Sequence, residues 1–122
     1  MMRGIFVVVW LFLTTLSWAV PPELEWLAKQ PGLHKTEIRD YGSYGWEGTF
    51  DVSGDGYATM EKIRGWMHQQ GWKVKDQDAS AGGVTSRRLD GVRGREKFNV
   101  TATQQRGQTG KIRAALIGRP QK

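Results

Sequence analysis

The most regular stretch of the chain runs from Trp46 to Lys75. In its first part Trp46, Gly48, Phe50 and Val52 alternate with Glu47, Thr49 and Asp51, the period of two expected of a strand with one buried side. From Gly56 the spacing changes. Met60, Ile63 and Met67 fall three or four residues apart, on one stripe of a helix, while Glu61, Lys62, Gly65, His68 and Gln69 take the opposite side. Asp55 is placed to cap the start of this helix, and Gly71 to stop it in the left-handed conformation, with Trp72 folding back on the last turn. Val74 then opens the next strand.

The flanking segments are read the same way. Pro21 and Pro22 lead into ELEWLAKQ, a short helical turn that lays Leu24, Trp26 and Leu27 on the core and ends at Pro31-Gly32. Leu33 to Gly45 shows no sustained period and reads as a loop finishing in the aromatic run Tyr41-Gly42-Ser43-Tyr44-Gly45. Lys75 to Gly83, rich in Asp, Ser and Gly, reads as a turn, and Val84 to Leu89 as a strand. Asp90-Gly91 and Gly94 mark a reversal. The cleanest alternation follows: Phe98, Val100 and Ala102 oppose Lys97, Asn99, Thr101 and Thr103. Arg106 to Gly110 reads as a hairpin connection, Ile112, Ala114 and Leu116 restore the pattern with Arg113 opposite, and the tail from Gly118 is expected to be loose. These elements predict an α+β fold. Its expected form is a two-layer sandwich, one main helix packed on an antiparallel sheet of four to five strands in the order β-α-β-β-β-β, with a short N-terminal helical turn.

A length of 122 residues suits one domain, and residues 1–19 look like a secretory signal preceding it, which leaves 20–122 as the single α+β domain. Arg3 supplies the positive start, Gly4 to Leu16 is an apolar run of 13 residues, and Ser17 and Ala19 are the small residues before a cut. A bilayer span needs about 20 apolar residues, so the run predicts export to the periplasm or the outside, with no transmembrane span after cleavage. Retention as an N-terminal anchor is the alternative. There is no cysteine, which excludes both disulfides and a cysteine-linked lipid anchor.

The charge is uneven. The whole chain carries 18 basic against 12 acidic residues, yet Val20 to Trp72 holds five basic and eight acidic ones, and Lys73 to Lys122 twelve basic and four acidic. Such asymmetry points to an anionic partner for the second half. Arg87, Arg88, Arg93, Arg95 and Lys97, with Arg106, Lys111 and Arg113 on the neighbouring hairpin, could present guanidinium forks to phosphate or carboxylate groups. The competing reading is a solvated face that keeps the protein soluble. Tyr41, Tyr44 and Trp46 form a second candidate surface, since aromatic rings combine flat apolar faces with polar tips.

Catalytic and metal chemistry has little to draw on. His34 and His68 are the two histidines, far apart in sequence, and no catalytic residue, metal site or cofactor is assigned. Asp51, Ser53, Asp55 and Gly56, with Tyr57 and Thr59, resemble the start of an EF-hand calcium loop, but Lys62 stands where that family needs its bidentate glutamate. Small exported ribonucleases are similar in architecture and charge, without a motif match. That resemblance implies a glutamate base, an arginine on the phosphate and a histidine acid. Glu96 and Arg113 suit two of these roles, and no histidine follows His68 for the third.

The expected function is therefore a small exported, non-enzymatic binding or adaptor protein. Its basic face would meet an anionic envelope component or an acidic protein, with nucleic acid ranking below both. An immunity or inhibitor protein that blocks a toxin or enzyme through the aromatic loop is the alternative, and a ribonuclease-like hydrolase ranks last.

Overall fold

A computed structural model of the chain describes residues 20–105 and 110–119. The expected signal segment, the 106–109 connection and residues 120–122 lie outside the described residues. In chain order the elements are α1 (Pro22–Ala28), β1 (Leu33–Asp40), a 3-10 turn (Gly42–Tyr44), β2 (Trp46–Val52), α2 (Gly56–Gln69), β3 (Lys73–Ala81), β4 (Val84–Arg93), β5 (Glu96–Gln105) and β6 (Gly110–Ile117). The six strands form one antiparallel sheet in the order β1-β2-β6-β5-β4-β3. The α+β class holds, with one strand more than the expected maximum.

Both helices lie on the same face of this sheet. A Cβ added at Gly48 in β2 would meet Leu24 of α1, and one added at Gly91 in β4 would meet Met67 of α2. The core is built where the alternating strand positions meet the helical stripes: Phe50, Leu89, Phe98, Val100, Ile112 and Leu116 from the sheet against Leu24, Leu27, Met60, Ile63 and Met67. Trp26 of α1 stacks on Trp66 of α2 with ring centroids 4.3 Å apart, joining the helices to each other. Trp72 is buried just beyond α2, where its N–H bonds the Met67 carbonyl at 3.0 Å and Gly71 has φ +88°. The Asp55 carboxylate accepts from the Tyr57 N–H at 2.9 Å and caps α2, which accounts for the acidic residues of the calcium-like loop as a strand-to-helix turn.

Two segments expected to be irregular are edge strands. Leu33–Asp40 pairs with β2 through a register shift between Lys35 and Glu37. The extra residue breaks the period of two, so Leu33 and Ile38 share a face although five positions apart. β3 extends to Ala81, and its inward positions beyond Val74, namely Asp76, Asp78 and Ser80, are themselves polar, leaving no apolar alternation to see. The reversal is confined to Gly82 and Gly83, with φ +60° and +80°, the conformation a two-residue hairpin asks for.

The crowding of the sheet gives a direct test. Gly48→Ala would bring a methyl within 2.9–3.2 Å of Phe50 and Leu24, whereas a Cβ at Gly65, mid-α2, has nothing within 4 Å. In urea melts Gly48→Ala should lose about 1–3 kcal/mol through overpacking. Gly65→Ala should gain about 0.5–1 kcal/mol from helix propensity. Equal effects of the two changes would contradict this packing.

Candidate functional site

Strand parity divides the predicted basic cluster between two faces. Arg87, Leu89, Gly91 and Arg93 of β4 point to the helix side, and Arg88, Asp90 and Val92 to the uncovered side, because Leu89 pairs with buried Val100 and Gly91 with buried Phe98. The open face carries Arg88, Lys97 and Arg113 together with Lys73, Lys75 and Lys111. One lateral row across four strands reads Arg113, Thr101, Arg88, Gln77, and another reads Ile117, Lys97, Val92, Lys73. Arg113 and Arg88 thus stand two strands apart, about 10 Å. No open-face residue of β2 to β6 is buried among the described ones.

The neutralising carboxylates on this face are few. Arg88 meets Asp90 at 2.6 Å and Arg113 approaches Glu47 at 3.7 Å, while Lys73, Lys75, Lys97 and Lys111 have no ion pair among the described residues. Glu37, Glu47 and Asp51 of β1 and β2 lie on the same face at its β1–β2 side, Asp51 opposite Lys111 in register. Lys75 was hidden in sequence by the reading of Lys75 to Gly83 as a turn, and Lys73, next to the strand expected from Val74, stands outside the expected basic cluster. Once β3 is extended, the same period of two brings them to the open face.

The arginines on the helix side are committed to internal pairing. Arg87, 9 % exposed, donates to Asp76 through Nε at 3.1 Å and Nη2 at 2.6 Å, and Nη2 also reaches Glu61 of α2 at 2.5 Å. The bond from Arg87 outweighs the cost of burial and holds the Asp76 carboxyl below its ordinary range. Hydrogen bonding to Asp76 likewise raises the Arg87 pKa against desolvation. Arg93 lies 4.3 Å above the Trp72 ring, donates to the Gln70 carbonyl at 2.8 Å, and stands 3.5 and 3.4 Å from Glu23 and Glu96.

Around Glu23, 4 % exposed, a second network forms. Arg119 grips this carboxylate with both Nη groups at 2.7 Å and bonds Glu96 through Nε at 2.5 Å, so Arg119, expected in a loose tail, is held in place. Burial opposes ionisation of Glu23, but the Arg119 bonds, the backbone bond and the charges of Arg119 and Arg93 together hold its pKa below the ordinary value.

Arg95 is exposed in the β4–β5 turn. Tyr41 and Tyr44 are exposed on the β1–β2 connection, whereas Trp46 packs partly against the core. Trp46 pairs with Leu116 and Leu116 with Phe98, so the aromatic loop and the basic β4–β5 turn sit at one end of the sheet, separated by β6. Glu96 and Arg113 do not converge: Glu96 joins the Arg119 network on the helix side and Arg113 is on the open face. Compared with protein-family models, curated proteins and solved structures, the chain gives no match.

The Glu23 network sets an acid limit. A carboxyl depressed in the folded state contributes stability above its ordinary pKa, 4.5 for glutamate, and loses that contribution as pH falls through the lower folded value. The melting temperature should therefore decline as pH is lowered below 4.5, with Asp76, ordinarily 3.8, adding to the loss further down. Glu23→Gln should cost about 1.5–3 kcal/mol at neutral pH and show a shallower acid decline. An unchanged acid profile in that variant, followed by calorimetry, would remove Glu23 from this role.

Proposed function

We propose that the protein is an exported, non-enzymatic binding or adaptor module whose basic open face docks an anionic envelope surface or an acidic protein. Support comes from the N-terminal signal pattern and, above all, from the open face itself: Arg88, Lys97 and Arg113 share it with Lys73, Lys75 and Lys111, four of these six side chains lacking an ion pair among the described residues. Guanidinium and ammonium groups left to water are available for charge-assisted bonds to phosphate or carboxylate. Arg87 and Arg93 serve the adaptor differently, by holding the sheet to the helices beneath that face. Among the described residues β2 to β6 place no Phe, Tyr or Trp on the open face, and single-stranded nucleic acid is usually held by stacking on such rings, so nucleic acid ranks below a lipid or protein anion.

A second reading rests on the aromatic loop. Tyr44 is 81 % exposed at the tip of a turn fixed by the Tyr41 N–H to Gly45 carbonyl bond at 2.8 Å and by the Gly42 N–H to Asp40 bond at 2.8 Å. A rigid protruding ring suits insertion into a cleft of a toxin or enzyme.

The first reading predicts binding to vesicles containing anionic lipid, or capture of acidic proteins from an envelope extract, that weakens about tenfold or more as salt rises above 0.15 M, where screening acts over about 8 Å. The triple variant Arg88→Glu, Lys97→Glu, Arg113→Glu should abolish it without changing the melting temperature by more than a few degrees. Capture that survives both high salt and charge reversal would count against the basic face, and loss on Tyr44→Ala alone would favour the loop. Mass spectrometry of the protein secreted from the full-length chain should find Val20 at its start.

A further inference from the structure

α2 does not cover the whole helix-side face of the sheet. It starts at Gly56, and the strands β3 to β6 run on past that point. Where they do, Ser80, Thr85, Ala102 and Gly110 offer small inward side chains, with the longer Asp78 and Gln104 among them. Gln104 is the one long inward side chain of β5 there, its amide lying beside Gly110 and the start of α2 at Gly56, and it leaves part of the space unfilled by the described residues. A cleft of about 500 Å³ remains, walled by Val52, Tyr57 and Met60, floored by Ala102, and reached by Thr85 and Arg87. That volume is in the range of small-molecule sites, which are mainly apolar with few polar groups.

One polar group in this wall is unfinished. Asp76 takes the Nε and Nη2 edge of the Arg87 guanidinium and Glu61 the remaining Nη2 position, but Nη1 is buried with no hydrogen-bond partner among the described residues. A buried donor without an acceptor is costly, and native folds seldom leave one without a reason. Above the guanidinium lies the Tyr57 ring, centroid 4.7 Å from Cζ, on a side chain that is 64 % exposed. Its rotation outward would uncover Nη1 from the cleft side.

The charges around Arg87 decide what such a ligand can be. Glu61, Asp76 and Asp78 all lie within ion-pairing distance of Arg87 and Asp55 borders the same cleft; against these four carboxylates stand Arg87, Arg64 beside Glu61, and Lys111 in the cleft lining, so negative charge is in surplus by one. An anion would be repelled, while a cation offers nothing to an N–H donor. An uncharged acceptor fits both conditions. We propose that the cleft is a second binding site, on the face opposite the basic one, for a small neutral molecule with an apolar body and a carbonyl oxygen that accepts from Arg87 Nη1. The body would rest on Ala102, Val52 and Met60, with Tyr57 closing over it.

The isosteric pair 2-naphthamide and 2-naphthoate separates this proposal from general hydrophobic adsorption. In two-dimensional NMR titrations of the 20–122 chain, the amide should shift the signals of Met60, Thr85 and Ala102 and bind about tenfold or more tightly than the carboxylate, a factor of about 1.4 kcal/mol. Gly110→Val should weaken amide binding about tenfold by filling the cleft; a Cβ there meets Val52 and Gln104 at the ordinary distances of 3.7 and 3.8 Å. Ala102→Leu is the equivalent variant should that one fail to fold. Naphthoate binding as tightly as the amide, absence of shifts at these residues, or full amide binding in a folded cleft-filled variant would each overturn the assignment.

Discussion

One-sided burial of the sheet is the constraint on which everything else rests. Six strands with helices on a single face must send apolar side chains to alternate positions in register across the sheet, and Phe50, Ile112, Ala102, Val100, Leu89 and Leu116 do so. A slip of one residue in any central strand would exchange the core for the charged face, so each strand's register is held by the cost of burying Lys97, Arg113 or Arg88. The same rule defines the surface. What is not core on the open side of β2 to β6 is a mainly polar lattice, with Val92 and Ile117 exposed beside Lys97.

Buried ion pairs finish what apolar contact begins. α2 touches the sheet through Met60, Ile63 and Met67, and at its outer side Glu61 reaches Arg87, which is in turn held by Asp76 of the edge strand β3. α1 has 7 residues, about two turns, too few for stability alone. It is fixed by Leu24 and Leu27, by the Trp26–Trp66 stack and by Glu23, which Arg119 and Arg93 clasp from the far end of the sequence. Removing one member of such a group strands the others in a poor solvent, so these pairs matter more to the uniqueness of the arrangement than their net energy suggests.

The division of labour among the arginines follows from these two facts. Neighbours in sequence, Arg87 and Arg88, do opposite things because a strand turns them to opposite faces: one is enclosed by carboxylates, the other stands over water beside Thr101 and Arg113. A domain without cysteine must hold itself together by packing and internal charge pairing, and part of the basic composition is spent there. Arg88, Lys97, Arg113, Lys73, Lys75 and Lys111 lie on the opposite face. The apolar cleft beside Arg87 arises where short α2 leaves a longer sheet uncovered, so the two proposed surfaces use opposite sides of the same strands.

The residue pattern alone determined the α+β class, the span and buried stripe of α2, the Asp55 cap, the turn at Gly71 and the strands around Phe50, Phe98 and Ile112, because these depend on neighbours within a few residues. Leu33–Asp40 and the outer half of β3 were not legible: a bulge displaced the alternation in one, and in the other the inward positions face Arg87 and the cleft instead of apolar groups. Net charge announced a basic half, but which arginines face outward depended on strand parity and on carboxylates as remote as Glu23 and Glu61. Those pairings join residues 26 to 96 positions apart, and only the folded chain brings them within reach.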